Sequence, residues 1–224
     1  MNESSPTPAP SPGTSPTPQK TMNRKRILWM VQTAILAAIL LVMAFTPLGY
    51  FKYGVVSITF LTLPVVIGAV VVGPACGAVL GFVFGLTSFV QCFGMDVFGT
   101  TLFGIDPFLT AVMCFVPRIL MGWLVGLIFT ALAKVDRTRI ASFAVASVSG
   151  ALLNTVLFVG ALVWFFGSSS YLRQFGESIW AILGVLVTFN AAIEAGVVLV
   201  VGTAITKALR VAMGDRKPPK PTAA

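Results

Sequence analysis

The chain has 224 residues, of which 57% are hydrophobic and only 10% charged, with a mean hydropathy of +0.95 and a formal net charge of +8. A soluble domain of this size carries roughly a quarter of its residues as charged ones, so the composition excludes an ordinary water-soluble globule. Histidine is absent, which rules out Ser–His or Cys–His nucleophile pairs, and no GxxxxGK(S/T) phosphate loop appears to bind ATP. Cys76, Cys92 and Cys114 lie in or beside apolar runs without CxxC spacing. They read as small buried apolar residues, with no metal, no cofactor and no enzyme activity expected.

In chain order, residues 1–20 are Ser, Thr, Pro, Ala and Gly almost throughout. Such a segment buries too little to offset chain entropy and reads as a disordered tail; it lacks the charged start and short apolar core of a signal peptide. Arg24, Lys25 and Arg26 follow, and then six hydrophobic stretches, at residues 27–45, 55–72, 76–93, 108–133, 140–166 and 178–211. Thr46-Pro47-Leu48-Gly49 ends the first, because proline has no N–H and disfavours helix at the residue before it. Gly73-Pro74 makes a tight turn between the second and third. Residues 94–107, with Gly94, Asp96, Gly99, Gly104, Asp106 and Pro107, read as a loop. Lys134 to Arg139 is a charged connection, and Gly167-Ser168-Ser169-Ser170 opens a further loop. A bilayer-spanning helix takes about 20 apolar residues. The pattern therefore predicts an all-α integral membrane bundle of six transmembrane helices over 27–211, between a tail at 1–26 and a basic tail at 212–224.

Basic residues set the expected orientation, since cytoplasmic loops collect Lys and Arg. With the N-terminus inside, the inner set is Lys20, Arg24, Lys25, Arg26, Lys134, Arg137, Arg139, Lys207, Arg210, Arg216, Lys217 and Lys220. The outer set is Lys52 and Arg173, and Arg118 falls within a span. Both termini are thus expected in the cytoplasm of a multi-pass protein of the cell membrane. The asymmetry accounts for the net charge without nucleic acid.

Charges at membrane depth are costly and usually face a cavity or a partner. Arg118 follows Pro117, which frees a backbone carbonyl one turn earlier. Glu194 lies inside the sixth stretch with Asn190 one turn before it, and Asn154 places an amide in the fifth. Arg118 either pairs with Glu194 to cross-link two helices or offers its planar fork to an anionic ligand, oriented by the amides. Tyr50, Lys52 and Tyr53, and Phe93 with Asp96, lie on the outer side and fit a lid over a pocket as well as an interfacial aromatic belt. Small residues recur at four-residue spacing: Ala34 and Ala38 in the first stretch, Gly73, Gly77, Gly81 and Gly85, then Gly122 and Gly126. They permit close helix approach, within the bundle or against a partner.

The stretch Leu63-Pro64-Val65-Val66-Ile67-Gly68-Ala69, then Val72-Gly73-Pro74, Gly77 and Gly81-Phe82-Val83-Phe84-Gly85-Leu86-Thr87-Ser88, resembles the second and third helices of the substrate-binding S components of energy-coupling factor (ECF) vitamin transporters. Pro117-Arg118-Ile119-Leu120 with Gly122 is similar to another pattern of that family, and Ala34–Ala38 to its AxxxA contact. The branch most resembled is the pantothenate type, although Thr62 stands where a histidine is common; riboflavin and folate stay open as ligands. The resemblance implies a vitamin-binding subunit that works with a transmembrane coupling (T) protein and two cytoplasmic ATP-binding subunits, which fits the missing ATP loop. It places the pocket near the outer face, beneath the loop after the first helix and the 94–107 and 167–177 segments. Arg118, Asn154, Asn190, Glu194, Tyr50, Lys52, Tyr53, Phe93 and Asp96 are the expected substrate-binding residues, and Ala34 and Ala38 the expected partner interface. A stand-alone membrane carrier or an assembly protein is the alternative.

Overall fold

A computed structural model describes residues 18–46, 49–53, 56–134 and 140–167, with the helical Gly196, Leu199 and Val200. Its elements are α1 (Pro18–Ala44), β1 (Tyr50–Tyr53), β2 (Val56–Thr59), α2 (Thr62–Val71), α3 (Pro74–Gln91), α4 (Val97–Ile105), α5 (Pro107–Leu132) and α6 (Ile140–Phe166). Among the described residues, Arg24–Ala44 in α1, Pro74–Gln91, Pro107–Leu132 and Ala141–Phe166 are each long and apolar enough to cross a membrane. The fold is a helical membrane bundle, as the hydropathy predicts for the first, third, fourth and fifth stretches. The sixth stretch, 178–211, lies outside the described residues apart from the three named. α1 starts at Pro18, so residues 18–26, which composition assigns to a tail, are its first turns. Proline at the first helical position gives up an N–H that has no partner there anyway.

Two expectations are corrected. The 55–72 stretch is not a single span. Val56–Thr59 is a strand, paired antiparallel with β1 so that Tyr50 faces Thr59 and Tyr53 faces Val56. α2 takes only 10 residues, about 15 Å of helix against a hydrocarbon core of roughly 30 Å. The β-branched Val56, Ile58 and Thr59 favour extended backbone, and Pro64 costs least in a first helical turn, so the helix starts late. The 94–107 segment is likewise not a loop, because it contains α4. Asp96 caps this helix, its Oδ2 accepting from the Gly99 N–H at 2.8 Å. Gly94, at φ 104°, makes the sharp exit from α3 that only glycine adopts readily. Asp106 then caps α5, Oδ1 accepting from the N–H groups of Phe108 at 2.9 Å and Leu109 at 3.0 Å.

The bundle is organised by α3 against α5. A Cβ on Gly77 would strike the Gly122 carbonyl, and one on Gly81 the Arg118 carbonyl. One on Gly85 would lie 2.8 Å from the Cys114 carbonyl oxygen, and Gly126 likewise abuts Pro74. Each four-residue step up α3 is matched by a four-residue step back along α5, so the helices run antiparallel with their backbones in contact. Around this pair, Leu40, Leu61, Val65, Val66, Leu80, Phe84, Met121 and Val125 form the buried core.

Cross-contacts give the other directions. Thr33 Oγ1 donates to Cys76 Sγ at 3.3 Å, and Leu36 and Leu80 meet over Gly68, so α1 runs with α3. Gly150 abuts Val125, whereas Phe158 reaches Arg118, so α6 runs against α5. The exposed Arg24, Lys25, Arg26 and Lys134 therefore gather at one end of the bundle, while the helix caps Asp96 and Asp106 stand at the other.

The α3–α5 contact predicts that Gly81→Leu is destabilising by about 3 kcal/mol or more, since backbone rather than a yielding side chain blocks the new atoms. Gly160, with nothing within 4 Å of its added Cβ, is the control, and Gly160→Leu is expected to leave stability unchanged or raise it. Thermal unfolding of the detergent-solubilised variants measures both.

Candidate ligand site around Arg118

Pro117 lies inside α5. It has no N–H, so the carbonyl four residues earlier, that of Met113, loses its helical donor. Arg118 fills the gap, with Nη1 donating to the Met113 oxygen at 3.0 Å. The guanidinium carbon stands 4.4 Å from the centroid of the Phe158 ring and 5.5 Å from that of Phe84. Cation–π attraction to two rings strengthens as water is excluded. Three helices thus hold one cation: α5 by its freed carbonyl, α3 and α6 by aromatic faces. A positive charge so fixed at membrane depth is suited to an anionic group.

The face of α6 below Phe158 is polar. Asn154, one turn away, is buried, and its Oδ1 has no hydrogen-bond partner among the described residues. Ser147, two further turns down the same face, is fully buried with an unpartnered hydroxyl, as is Thr62 at the start of α2. Leaving a buried polar atom unbonded costs about 1–3 kcal/mol, so such a group is an opening for a ligand or an ordered water.

The structure thus brings Arg118 and Asn154 to one interhelical region. Phe93 is exposed at the end of α3, in an aromatic cluster with ring centroids 5.3 Å from Phe89 and 4.8 Å from Phe103. Asp96 is occupied as the cap of α4. Tyr50, Lys52 and Tyr53 form β1; their side chains, and the whole of Asn190 and Glu194, lie outside the described residues, and the Arg118–Glu194 pairing with them. Ala34 and Ala38 are exposed on α1, while Thr33 and Leu40 face the core. All three cysteines are buried free thiols, Cys92 and Cys114 with sulfurs 4.0 Å apart. Phe84, Phe158 and Ser147 were not singled out from sequence, although spacings of seven from Ser147 to Asn154 and four to Phe158 mark one helix face. A separate cavity of about 320 Å³ opens at the basic end, between Ala69–Gly73 and Phe129–Lys134, and has no part in this arrangement.

A helical membrane bundle that holds an arginine and a buried asparagine in its interior is suited to bind a small polar substrate within the membrane, and the chain belongs to the family described as "ECF transporter, substrate-specific component", whose family model it matches over residues 29–205. Among curated proteins it is similar to the pantothenic acid transporter PanT of Lactococcus lactis subsp. cremoris (strain MG1363). The identity is 33% over 162 residues, covering 67% of this chain and 76% of that one. This is a family of transport components rather than enzymes.

The Arg118–Met113 bond carries its own prediction. Arg118→Met leaves the Met113 carbonyl without a donor and is expected to cost about 1–3 kcal/mol. Adding Pro117→Ala restores the backbone N–H, so the double variant should recover most of the lost melting temperature, measured in detergent. A double variant no more stable than Arg118→Met alone would refute this account of the bond.

Proposed function

We propose that this chain is the substrate-binding subunit of an ATP-driven, ECF-type vitamin uptake transporter, and that its ligand is pantothenate. The observation that carries the reading is the Arg118 guanidinium, clasped by Met113, Phe84 and Phe158 one turn above Asn154, whose Oδ1 has no partner among the described residues. A charge-assisted contact to a carboxylate and a neutral contact to an amide or hydroxyl fit a small acid with a polar chain. The pantothenic acid transporter similar to this chain supports that choice over riboflavin and folate.

The pocket opens on the outer face, both termini are cytoplasmic and the chain crosses the cell membrane six times; because α1 and α3 run in the same direction, the segment between them makes the second crossing although α2 alone is too short for it. The gathering of Arg24, Lys25, Arg26 and Lys134 at one end supports this orientation. The energy comes from a transmembrane coupling protein and two ATP-binding subunits. Purified chain alone in liposomes should therefore bind pantothenate without concentrating it, and accumulation in the absence of the ATPases would make it a stand-alone carrier.

Arg118→Ala is expected to weaken pantothenate binding roughly ten- to hundredfold, the loss of a hydrogen bond to a charged group. Arg118→Lys should recover only part, because a point charge does not reproduce the planar fork. Isothermal titration of the detergent-solubilised variants checks both, and unchanged affinity in Arg118→Ala removes that residue from the site.

The coupling protein docks on α1. Ala34 and Ala38 are exposed there amid the exposed Val31, Ile35, Ile39 and Val42, an apolar face on which small residues admit a second helix. Ala38→Trp should abolish co-purification with the coupling module while leaving pantothenate affinity unchanged. Loss of affinity with the complex preserved would assign this face to the fold's interior.

A further inference from the structure

α2 begins inside the bundle. Leu61, in the N-cap position, and Thr62, its first residue, are fully buried, and the Leu61 side chain makes no cap bond. Leu63 N–H bonds back to the Phe60 carbonyl at 3.1 Å, and Pro64 has no N–H. Among the described residues no acceptor meets the N–H of Leu61 or Thr62. A helix start normally satisfies its first N–H groups with a side chain or water, and it carries the positive end of the helix dipole. Here both resources point into the interior of a membrane bundle.

A second observation, independent of the helix terminus, points to a ligand at the same place. Thr62 Oγ1, Ser147 Oγ and Asn154 Oδ1 are buried side-chain atoms with no hydrogen-bond partner among the described residues, on residues only 0%, 0% and 9% exposed. The start of α2 meets α6 at Gly150, where an added Cβ would lie 3.9 Å from the Thr62 methyl. Ser147 is one turn from Gly150 on α6 and Asn154 one turn in the other direction. From Phe158, where the Arg118 guanidinium rests, the α6 face descends about 6 Å to Asn154, about 6 Å more to the level of Thr62 and about 5 Å to Ser147. An elongated small molecule anchored at Arg118 reaches this depth.

We propose that the buried start of α2, with the hydroxyls of Thr62 and Ser147, is a second polar subsite that forms the floor of the ligand pocket. It takes the uncharged end of the substrate, a hydroxyl or amide oxygen that accepts from the α2 N–H groups and exchanges hydrogen bonds with both hydroxyls. This deepens the vitamin-binding reading and rests on it. The floor distinguishes ligands by their far end, whereas Arg118 distinguishes them by charge.

The test uses the full chain in detergent with two probes, pantothenate and its alcohol analogue pantothenol, which lacks the carboxylate. Thr62→Val replaces an unbonded hydroxyl by a methyl of the same shape, so the unliganded protein should melt at the same temperature or higher. Its affinity for both probes should fall by the same factor, roughly three- to tenfold, and Ser147→Ala should do likewise. Arg118→Ala, by contrast, should weaken pantothenate far more than pantothenol. Wild-type binding of pantothenate with equal binding by Thr62→Val and Ser147→Ala overturns the floor and leaves the transport reading standing. A loss confined to pantothenate also overturns it, because the floor would then be sensing the carboxylate. A wild-type chain that binds no pantothenate overturns the vitamin reading and the floor with it.

Discussion

The backbone contact between α3 and α5 is the constraint on which the other placements depend. In lipid, helices gain little from burying apolar side chains, and association rests on close packing and interhelical hydrogen bonds. Gly77, Gly81 and Gly85 bring α3 directly onto the carbonyls of Gly122, Arg118 and Cys114, so the two helices act as one ribbed wall. That closeness sets the level of Phe84 relative to Arg118, and thereby the aromatic face on which the guanidinium rests. It also fixes Pro74 against Gly126, which places the Gly73 turn, at φ 129°, and hence the point where α2 ends and α3 begins.

On this wall the cost of a charge at membrane depth is met locally. Proline in the middle of α5 would ordinarily leave one carbonyl bare, and arginine in a span would ordinarily carry its charge unshielded. Placed side by side, Pro117 and Arg118 cancel much of both penalties, since the guanidinium donates to the carbonyl the proline releases. The Phe84 and Phe158 rings add two aromatic faces to the same guanidinium.

α1 is built to the opposite rule. It touches the bundle through Thr33, Leu36 and Leu40 and turns a broad apolar face outward. The exposed face of α1 contrasts with α5, which is packed against α3 on one side and α6 on the other.

Hydropathy alone located α1, α3, α5 and α6, because a membrane span is a one-dimensional property: a run of apolar residues between breakers. The Gly-every-four pattern and the Pro117–Arg118 neighbourhood were legible for the same reason, each being local in the chain. What failed was local structure that depends on its surroundings. Residues 55–72 are apolar throughout and look like one span, but strand pairing with Tyr50–Tyr53 takes the first part and leaves ten residues of helix. The glycines of 94–107 look like a loop, but Asp96 finds the Gly99 amide and caps a helix there. The joining of Thr62 to Gly150 and of Arg118 to Phe84 and Phe158 was decided only by the tertiary structure. These residues lie far apart in sequence, and it is the interhelical register set by the glycine contacts that makes them neighbours.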